Sequence, residues 1–262
     1  MGGNDNDLLF GEKGNDVLQG GQGEDQLEGG EGNDILYGGS EIDHLFGGNG
    51  NDYLYGQAGN DWLYGDDAAN TFSGDDVLEG GQGNDRLLGG HGNDTYVYSK
   101  GDGIDTILDK SGNNDILRLL DIDPNDINVT LSSDGFLILQ NPSTGDRINI
   151  QNWGTDKPIE KIEFGGGTVW DHAFIAQRLL EGNKITGTSS NDIINGTTGP
   201  EIIVAQAGDD QITGGKGNDR LLGGEDILHT DGIQNITAES TAFLGEAGKQ
   251  NRRDEIITRL AA

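Results

Sequence analysis

From Gly2 to Val97 the chain repeats one nine-residue unit almost without interruption, and Gly29-Gly30-Glu31-Gly32-Asn33-Asp34-Ile35-Leu36-Tyr37 is one copy of it. The unit reads Gly-Gly-x-Gly-x-Asp-x-U-x, with U a large aliphatic residue, and it returns from about Asn183 to Leu228. A period this short excludes an ordinary globular core. Over eight units the sixth positions are Asp7, Asp16, Asp25, Asp34, Asp43, Asp52, Asp61 and Asn70. The matching eighth positions are Leu9, Leu18, Leu27, Leu36, Leu45, Leu54, Leu63 and Phe72. A shortened unit, Gly74-Asp75-Asp76-Val77-Leu78-Glu79, is read next, followed by full units carrying Asp85 with Leu87 and Asp94 with Tyr96. Random low complexity would not hold an aliphatic residue two places after every carboxylate.

Each unit divides into a turn and a short strand. The glycines permit a tight bend where a Cβ would clash, and period-two alternation in x-U-x points U to one side. Nine residues then make a half-coil, and eighteen make a full coil of two parallel strands and two turns. The expected fold is all-β: a parallel β-roll with its Leu column in a narrow interior between two sheets. Units two apart, such as Asp16 and Asp34, lie above one another at roughly the 4.8 Å strand spacing.

Stacked carboxylates at that spacing repel unless a cation sits between them. Glycine-rich turns also expose backbone carbonyls, and this oxygen set suits Ca²⁺, a hard cation with six or more ligands. Mg²⁺ prefers to keep its water, while the absence of Cys and the scatter of four His disfavour Zn²⁺. The candidate ligands are Asp7, Asp16, Asp25, Asp34, Asp43, Asp52, Asp61, Asp76, Asp85, Asp94, Asp192, Asp210 and Asp219. The candidate carbonyls come from turns such as Gly20, Gly21, Gly23, Gly29, Gly30, Gly32, Gly47, Gly48, Gly50, Gly80, Gly81, Gly83, Gly214, Gly215 and Gly217. Asn-Asp and Gly-Gly are also plain turn formers, but turn chemistry alone does not require Asp at one fixed position.

Composition agrees. The chain of 262 residues sets 46 Asp plus Glu against 16 Lys plus Arg, a net charge of −30, and contains 47 Gly. Without cation such repeats are too polar and too flexible to hold together. Several ions, roughly six to nine at one Ca²⁺ per stacked Asp pair, would cancel much of the charge, so folding and ion binding are expected to be one event. The charge argues against nucleic acid or anionic lipid as partner. No stretch is apolar enough to span a membrane, no signal peptide precedes the first repeat, and zero Cys gives no disulfide framework.

These repeats resemble the RTX, or haemolysin-type calcium-binding, proteins of Gram-negative bacteria, and the resemblance covers both repeat blocks. It implies a β-roll that binds Ca²⁺ through the sixth-position Asp and turn carbonyls. It also implies a secreted, extracellular protein exported by a type I machine that reads an uncleaved C-terminal signal. Low cytosolic Ca²⁺ would keep the roll unfolded for export, and folding would follow outside.

Residues 98–181 break the repeat. Their β-like runs are Ile116–Leu119, Ile127–Leu131, Phe136–Gln140, Arg147–Gln151 and Ile159–Phe164, with a hairpin loop at Asn141-Pro142-Ser143-Thr144-Gly145. Asp171 is placed to cap a helix over about His172–Leu180 that stops near Gly182. Arg147–Trp153 with Ile162-Glu163-Phe164 and Thr168–Asp171 looks like the haemolysin-type calcium-binding-related domain, expected here to close the open end of the first roll.

The second block, 182–229, is weaker. Its sixth positions are Asn183, Asp192, Glu201, Asp210 and Asp219, with Ile185, Ile194, Ile203, Ile212 and Leu221 inward. Asn183 and Glu201 depart from the family pattern, so the best pair is Asp192 with Asp210. The tail, 230–262, contains no repeat, and its position matches a type I secretion signal.

No catalytic motif is present: no His-Glu-x-x-His, no Gly-x-Ser-x-Gly and no Cys nucleophile. His44 and His91 fall at variable repeat positions, and His172 and His229 lack evident partners. The seventh and ninth positions face outward, giving Ile35, Tyr37, Tyr53 and Tyr55 on one sheet and His44, Phe46, Trp62 and Tyr64 on the other. Such rings stabilise neighbouring rungs, or dock a cell-surface glycan or an upstream domain. The chain starts inside the pattern with no cap, which reads as the C-terminal portion of a larger secreted toxin, hydrolase or adhesin. The expected function is therefore a non-catalytic, calcium-dependent folding and secretion module (2–97 the first roll). The alternative is a self-standing extracellular adhesin or carbohydrate-binding module. An ice-binding solenoid would want regular outward Thr ranks, and those are missing.

Overall fold

A computed structural model describes residues 1–66, 73–109, 111–153, 155–156, 158–182, 184–196, 202–208, 210–214 and 220–222. The chain divides into two compact units, Met1–Ala176 and Gln177–Ala262.

In the first unit successive strands alternate between two sheets as far as Leu119. In chain order they are β1 (Leu8–Lys13), β2 (Val17–Gln22), β3 (Gln26–Glu31), β4 (Ile35–Ser40), β5 (His44–Asn49), β6 (Tyr53–Gly59), β7 (Trp62–Tyr64) and β8 (Val77–Gly83). There follow β9 (Arg86–Leu88), β10 (Thr95–Tyr98), β11 (Ile104–Ile107), β12 (Ile116–Leu119), β13 (Asn128–Leu131), β14 (Leu137–Gln140), β15 (Arg147–Ile150), β16 (Lys161–Phe164) and β17 (Val169–Asp171). One sheet runs β1-β3-β5-β7-β9-β11-β15-β14-β13 and the other β17-β16-β12-β10-β8-β6-β4-β2. Repeat strands pair in parallel with partners eighteen residues away, Leu18 with Leu36 and Leu27 with Leu45. This is the β-roll the nine-residue period predicts.

Leu27, Leu36, Leu45, Leu54, Leu63 and Leu78 have 0 % exposure and fill the space between the sheets. Burying one such side chain stabilises the fold by about 1.5–3 kcal/mol. A single apolar side chain per nine ordered residues is a thin core, so the turns have to carry part of the stability.

The register corrects one detail of the sequence reading. Residues 65–79 were expected to hold a full unit with Asn70 and Phe72 and then a shortened one. Instead β8 follows β7 directly in the alternation, and Tyr53 pairs with Val77, 24 residues on, which is eighteen plus six. Asp76, directly before β8, therefore takes the sixth position of the unit that pairs with β6, and residues 67–72, Asn70 and Phe72 among them, lie outside the described residues.

The sheets run on past residue 98. β11 and β12 continue the parallel ladders, and β15 and β16 are added parallel to them. Direction then reverses: β14 pairs antiparallel with β15, β13 with β14, and β17 with β16. The hairpin loop 141–145 connects β14 to β15 as expected, and Asp171 Oδ1 accepts a hydrogen bond from Phe174 N at 2.8 Å. That bond caps α1 (His172–Gly182). Trp170, 1 % exposed, sits 4.6 Å from Phe164 and 5.4 Å from Phe174 between ring centroids. His172, expected to lack partners, has Nε2 within 2.7 Å of the Ile159 carbonyl oxygen and stands edge-on to Trp153.

The second unit contains β18 (Lys184–Thr186), β19 (Ile193–Asn195), β20 (Ile202–Val204), β21 (Gln211–Thr213) and β22 (Arg220–Leu222). β18, β20 and β22 form one parallel sheet and β19 with β21 another. Ile194, Ile203, Ala205, Ile212 and Leu221 form its core, with Ile185 against it. Asn183, Glu201, His229 and the tail 230–262 lie outside the described residues.

Candidate metal centre

Every turn of the first roll positions its sixth residue in the same way. The backbone N–H of one Asp donates to Oδ1 of the sixth-position Asp one coil further on. Along one edge this joins Asp7 to Asp25 (2.7 Å), Asp25 to Asp43 (2.8 Å), Asp43 to Asp61 (2.8 Å) and Asp61 to Asp85 (2.7 Å). Along the other it joins Asp16 to Asp34 (2.8 Å), Asp34 to Asp52 (2.7 Å), Asp52 to Asp76 (2.8 Å) and Asp76 to Asp94 (2.9 Å). The carboxylates predicted from spacing therefore stand in two continuous columns.

The second oxygen of each carboxylate is treated differently. Oδ2 of Asp16, Asp25, Asp34, Asp43, Asp52, Asp61, Asp76, Asp85 and Asp94 is buried and has no hydrogen-bond donor. A buried carboxylate oxygen with no partner is costly, and here the cost recurs in turn after turn. Burial raises Asp43, Asp52 and Asp61 to about 7, Asp76 to about 8 and Asp94 to about 9. The backbone hydrogen bond opposes that rise, and neighbouring carboxylates add to it.

The glycines explain the shape around Oδ2. A Cβ built on Gly56 would lie 2.5 Å from Asp61 Oδ2 and 2.5 Å from the Gly80 carbonyl oxygen. One on Gly38 would lie 2.5 Å from Asp43 Oδ2 and 2.8 Å from the Gly56 carbonyl oxygen. The first glycine of the unit is thus excluded from bearing a side chain by the carboxylate and by the next coil. The second and fourth are needed for backbone reasons instead: Gly30 has φ 112° and Gly32 φ 135°. Each turn therefore sets an unsatisfied carboxylate oxygen beside a carbonyl oxygen, in a space a Cβ would fill. Such a donor set of hard oxygens fits Ca²⁺.

Among the predicted carbonyls, those of Gly20, Gly29, Gly47 and Gly80 border these spaces. The carbonyls of Gly21, Gly30, Gly32, Gly50 and Gly83 face the corresponding glycine of the next coil. Gly23, Gly48 and Gly81 hold positive φ in their turns. In the second unit Asp192 N donates to Asp210 Oδ1 at 2.7 Å, and Asp210 Oδ2 is again buried without a donor. Gly214 is buried there, whereas Asp219, Gly215 and Gly217 lie outside the described residues.

Two further aspartates of the columns escaped the sequence reading. Asp85 N donates to Asp105 Oδ1 at 3.0 Å, and Asp94 N to Asp115 Oδ1 at 2.7 Å. Burial raises Asp105 to about 9 and Asp115 to about 6. Their spacings to the residue below are 20 and 21 instead of 18, so a fixed-period search passes over them. The signal was nonetheless present, since Asp105-Thr106-Ile107 and Asp115-Ile116-Leu117 keep the carboxylate two places before an aliphatic residue.

The outward aromatics are in register. Tyr37 stacks on Tyr55 at 5.0 Å, Phe46 on Tyr64 at 4.7 Å and His44 on Trp62 at 5.8 Å between centroids, and the Arg86 guanidinium covers Trp62 at 4.5 Å.

The family models that match the chain agree with this geometry. Residues 1–36, 37–72, 70–103 and 195–227 match the RTX calcium-binding nonapeptide repeat (4 copies), and residues 137–173 match the haemolysin-type calcium binding protein related domain. No curated protein matches the chain. Among solved structures, a subunit of the mannuronan C5-epimerase of Azotobacter vinelandii is 26% identical, covering 45% of this chain and 81% of its own, at a TM-score of 0.32. An extracellular lipase from Serratia marcescens is 16% identical, covering 75% of this chain and 29% of its own, at a TM-score of 0.20.

Proposed function

Because the chain belongs to the family of RTX calcium-binding nonapeptide-repeat proteins, we propose that it is a module whose folding is switched on by Ca²⁺ outside the cell. The ion is Ca²⁺, and its ligands are the sixth-position aspartates with the carbonyl of the first glycine one coil further on. Residues 2–97 and 182–229 are the calcium-binding rolls, 98–181 closes the first, and 230–262 carries the export signal. Proteins of this family are typically secreted, and no helix of the described residues is long and apolar enough to cross a membrane. The module lets a larger secreted toxin, hydrolase or adhesin of a Gram-negative bacterium leave through a type I machine unfolded and fold on arrival. RTX repeats are typically structural, and catalysis belongs to another part of such a protein.

The observation that carries this reading is the buried Oδ2 without a donor, repeated from Asp16 to Asp94. Those oxygens cost stability without a cation and supply ligands with one, so folding and binding are one equilibrium. An acidic, Cys-free chain stays loose where Ca²⁺ is scarce. The test is circular dichroism of the full chain titrated separately with Ca²⁺ and Mg²⁺. A β spectrum is expected to appear at sub-millimolar to millimolar Ca²⁺, the range of extracellular modules, and not with Mg²⁺. A complete β spectrum in excess chelator would sink the proposal.

A second reading, adhesion to a glycan, is favoured by one observation. Stacked Tyr37 and Tyr55, with Gln57 and Glu79, line a groove of about 380 Å³, an apolar floor with polar walls of the kind sugars use. Retention on a glycan array that Tyr55→Ala abolishes, with calcium binding unchanged, is its test.

A further inference from the structure

Along the edge that holds Asp16, Asp34, Asp52, Asp76 and Asp94, each described turn begins with glycine at the first position, as at Gly47, Gly65 and Gly89. Counting on from Asp105 and Ile107, the next turn begins with Asp109. A carboxylate thus stands where the array keeps a bare backbone. The unit beneath it also departs from the pattern, with Tyr96 at the inward position that Leu holds elsewhere. Tyr96 is 0 % exposed; its hydroxyl accepts from Gly89 N at 2.8 Å and donates to Asp109 Oδ2 at 2.8 Å.

These substitutions gather three buried carboxylates. Oxygens of Asp94, Asp109 and Asp115 lie within 4.8 Å of one another, and the residues are 0 %, 5 % and 1 % exposed. Asp94 Oδ2 is buried with no hydrogen-bond donor. Asp94 Oδ1 is held by Asp76 N, Asp115 Oδ1 by Asp94 N, and Asp109 Oδ1 accepts from Ser111 N. Backbone N–H groups of this kind orient a carboxylate without neutralising its charge. Oxygens bound to one Ca²⁺ at about 2.3–2.6 Å lie no more than about 5 Å apart, and this cluster meets that limit. The array brings two carboxylates together at each step, whereas this turn brings three, and ligand charge is a main determinant of calcium affinity.

We propose that Asp109 joins Asp94 and Asp115, two neighbouring members of one column, in a three-carboxylate Ca²⁺ site, the tightest of the chain, that fastens the last nonapeptide turn to the segment that follows it. One ion there ties the turns before β10, after β11 and before β12, and so links both sheets where the regular period ends. The proposal rests on calcium being the ion of the array, but not on which oxygens the array uses.

The experiment counts bound calcium by equilibrium dialysis in the full chain, in Asp109→Asn and in Asp34→Asn. Asp109→Asn is expected to bind one ion fewer, with the tightest class weakened about tenfold or more. Asp34→Asn is expected to lose an array ion and keep the tightest class. A wild-type count and tightest constant in Asp109→Asn overturn the site; if Asp34→Asn still loses its ion, the array reading stands without it. Should Asp109→Asn show no β spectrum at any calcium concentration, terbium luminescence decides on Tyr96→Phe. The first equivalent of Tb³⁺, excited through the adjacent tyrosine, is expected to lose most of its emission in that variant. Emission equal to wild type overturns the site.

Discussion

A sixth-position aspartate uses its two oxygens differently, and each use makes a separate prediction. Asp52 Oδ1 accepts from Asp34 N at 2.7 Å, while Asp52 Oδ2 is buried without a donor. Asp52→Ala would strand the Asp34 N–H, at a cost of about 1–3 kcal/mol, and would also delete the charge facing the carbonyl. Its calcium midpoint by circular dichroism is expected to rise several-fold, while that of Glu24→Ala, an exposed variable position, stays near wild type. Gly47→Ala attacks the same space from the other side, since its added Cβ would lie 2.5 Å from Asp52 Oδ2, and is expected to match Asp52→Ala, although Gly47 needs no positive φ. Gly166→Ala, with nothing within 4 Å of the added Cβ, is the control. The pH response follows from the raised carboxylates, from about 7 at Asp43 to about 9 at Asp94. Folded values above the unfolded ones mean that protonation favours the ion-free roll. That stability is complete below about pH 4 and is lost as pH climbs through the raised values. In chelator the β signal is therefore expected to grow on acidification from about pH 8 to 4, whereas calcium affinity falls over the same change because the ion needs the ionised form. A chelator spectrum indifferent to pH would argue that the carboxylates are solvated.

At the scale of the strand, register was legible wherever the period held. Leu18 over Leu36, Tyr37 over Tyr55 and His44 over Trp62 all follow from counting eighteen. Counting by nine misplaces Val77, because Asn70 and Phe72 satisfy the pattern locally, whereas a strand is defined by the coil it pairs with, and Tyr53 pairs with Val77. Asp105 and Asp115 were missed for the converse reason: their turns are longer, yet backbone pairing restores their place in the columns. The reversal at β14, β13 and β17 was illegible because strand direction depends on the path of the connection and not on side-chain alternation. The reversed strands β13 and β17 are the last of their sheets, which makes Trp170, buried in β17, the residue to test. Trp170→Ala is expected to cost about 3–5 kcal/mol, read as a lowered melting temperature at saturating calcium with the number of bound ions unchanged. Stacking between coils is measured by a double-mutant cycle on Tyr37 and Tyr55, 5.0 Å apart. A coupling of about 0.5–1.5 kcal/mol is expected, and strict additivity would show that the rings merely coexist.

For the whole molecule, the question is whether calcium acts as a ligand or only as charge. The net charge of −30 repels itself in any compact state, so both accounts predict a chain that shrinks when cations are added. They differ in which cation works. Screening at physiological ionic strength acts over about 8 Å and serves exposed charges such as Lys13 and Glu31. It does little for Asp34, Asp43, Asp52 and Asp61, which have 0 % exposure and a buried oxygen with no donor. Those oxygens need a cation that sheds its water and sits between coils. Small-angle scattering in chelator is accordingly expected to give a radius of gyration approaching about 55 Å, the unfolded value for this length. Millimolar Ca²⁺ is expected to contract it, and about 0.5 M NaCl to leave it largely expanded. If NaCl alone produced the same contraction and the same β spectrum, general screening would suffice to fold the roll, and the repeated pairing of an unsatisfied carboxylate oxygen with a carbonyl would lose its role.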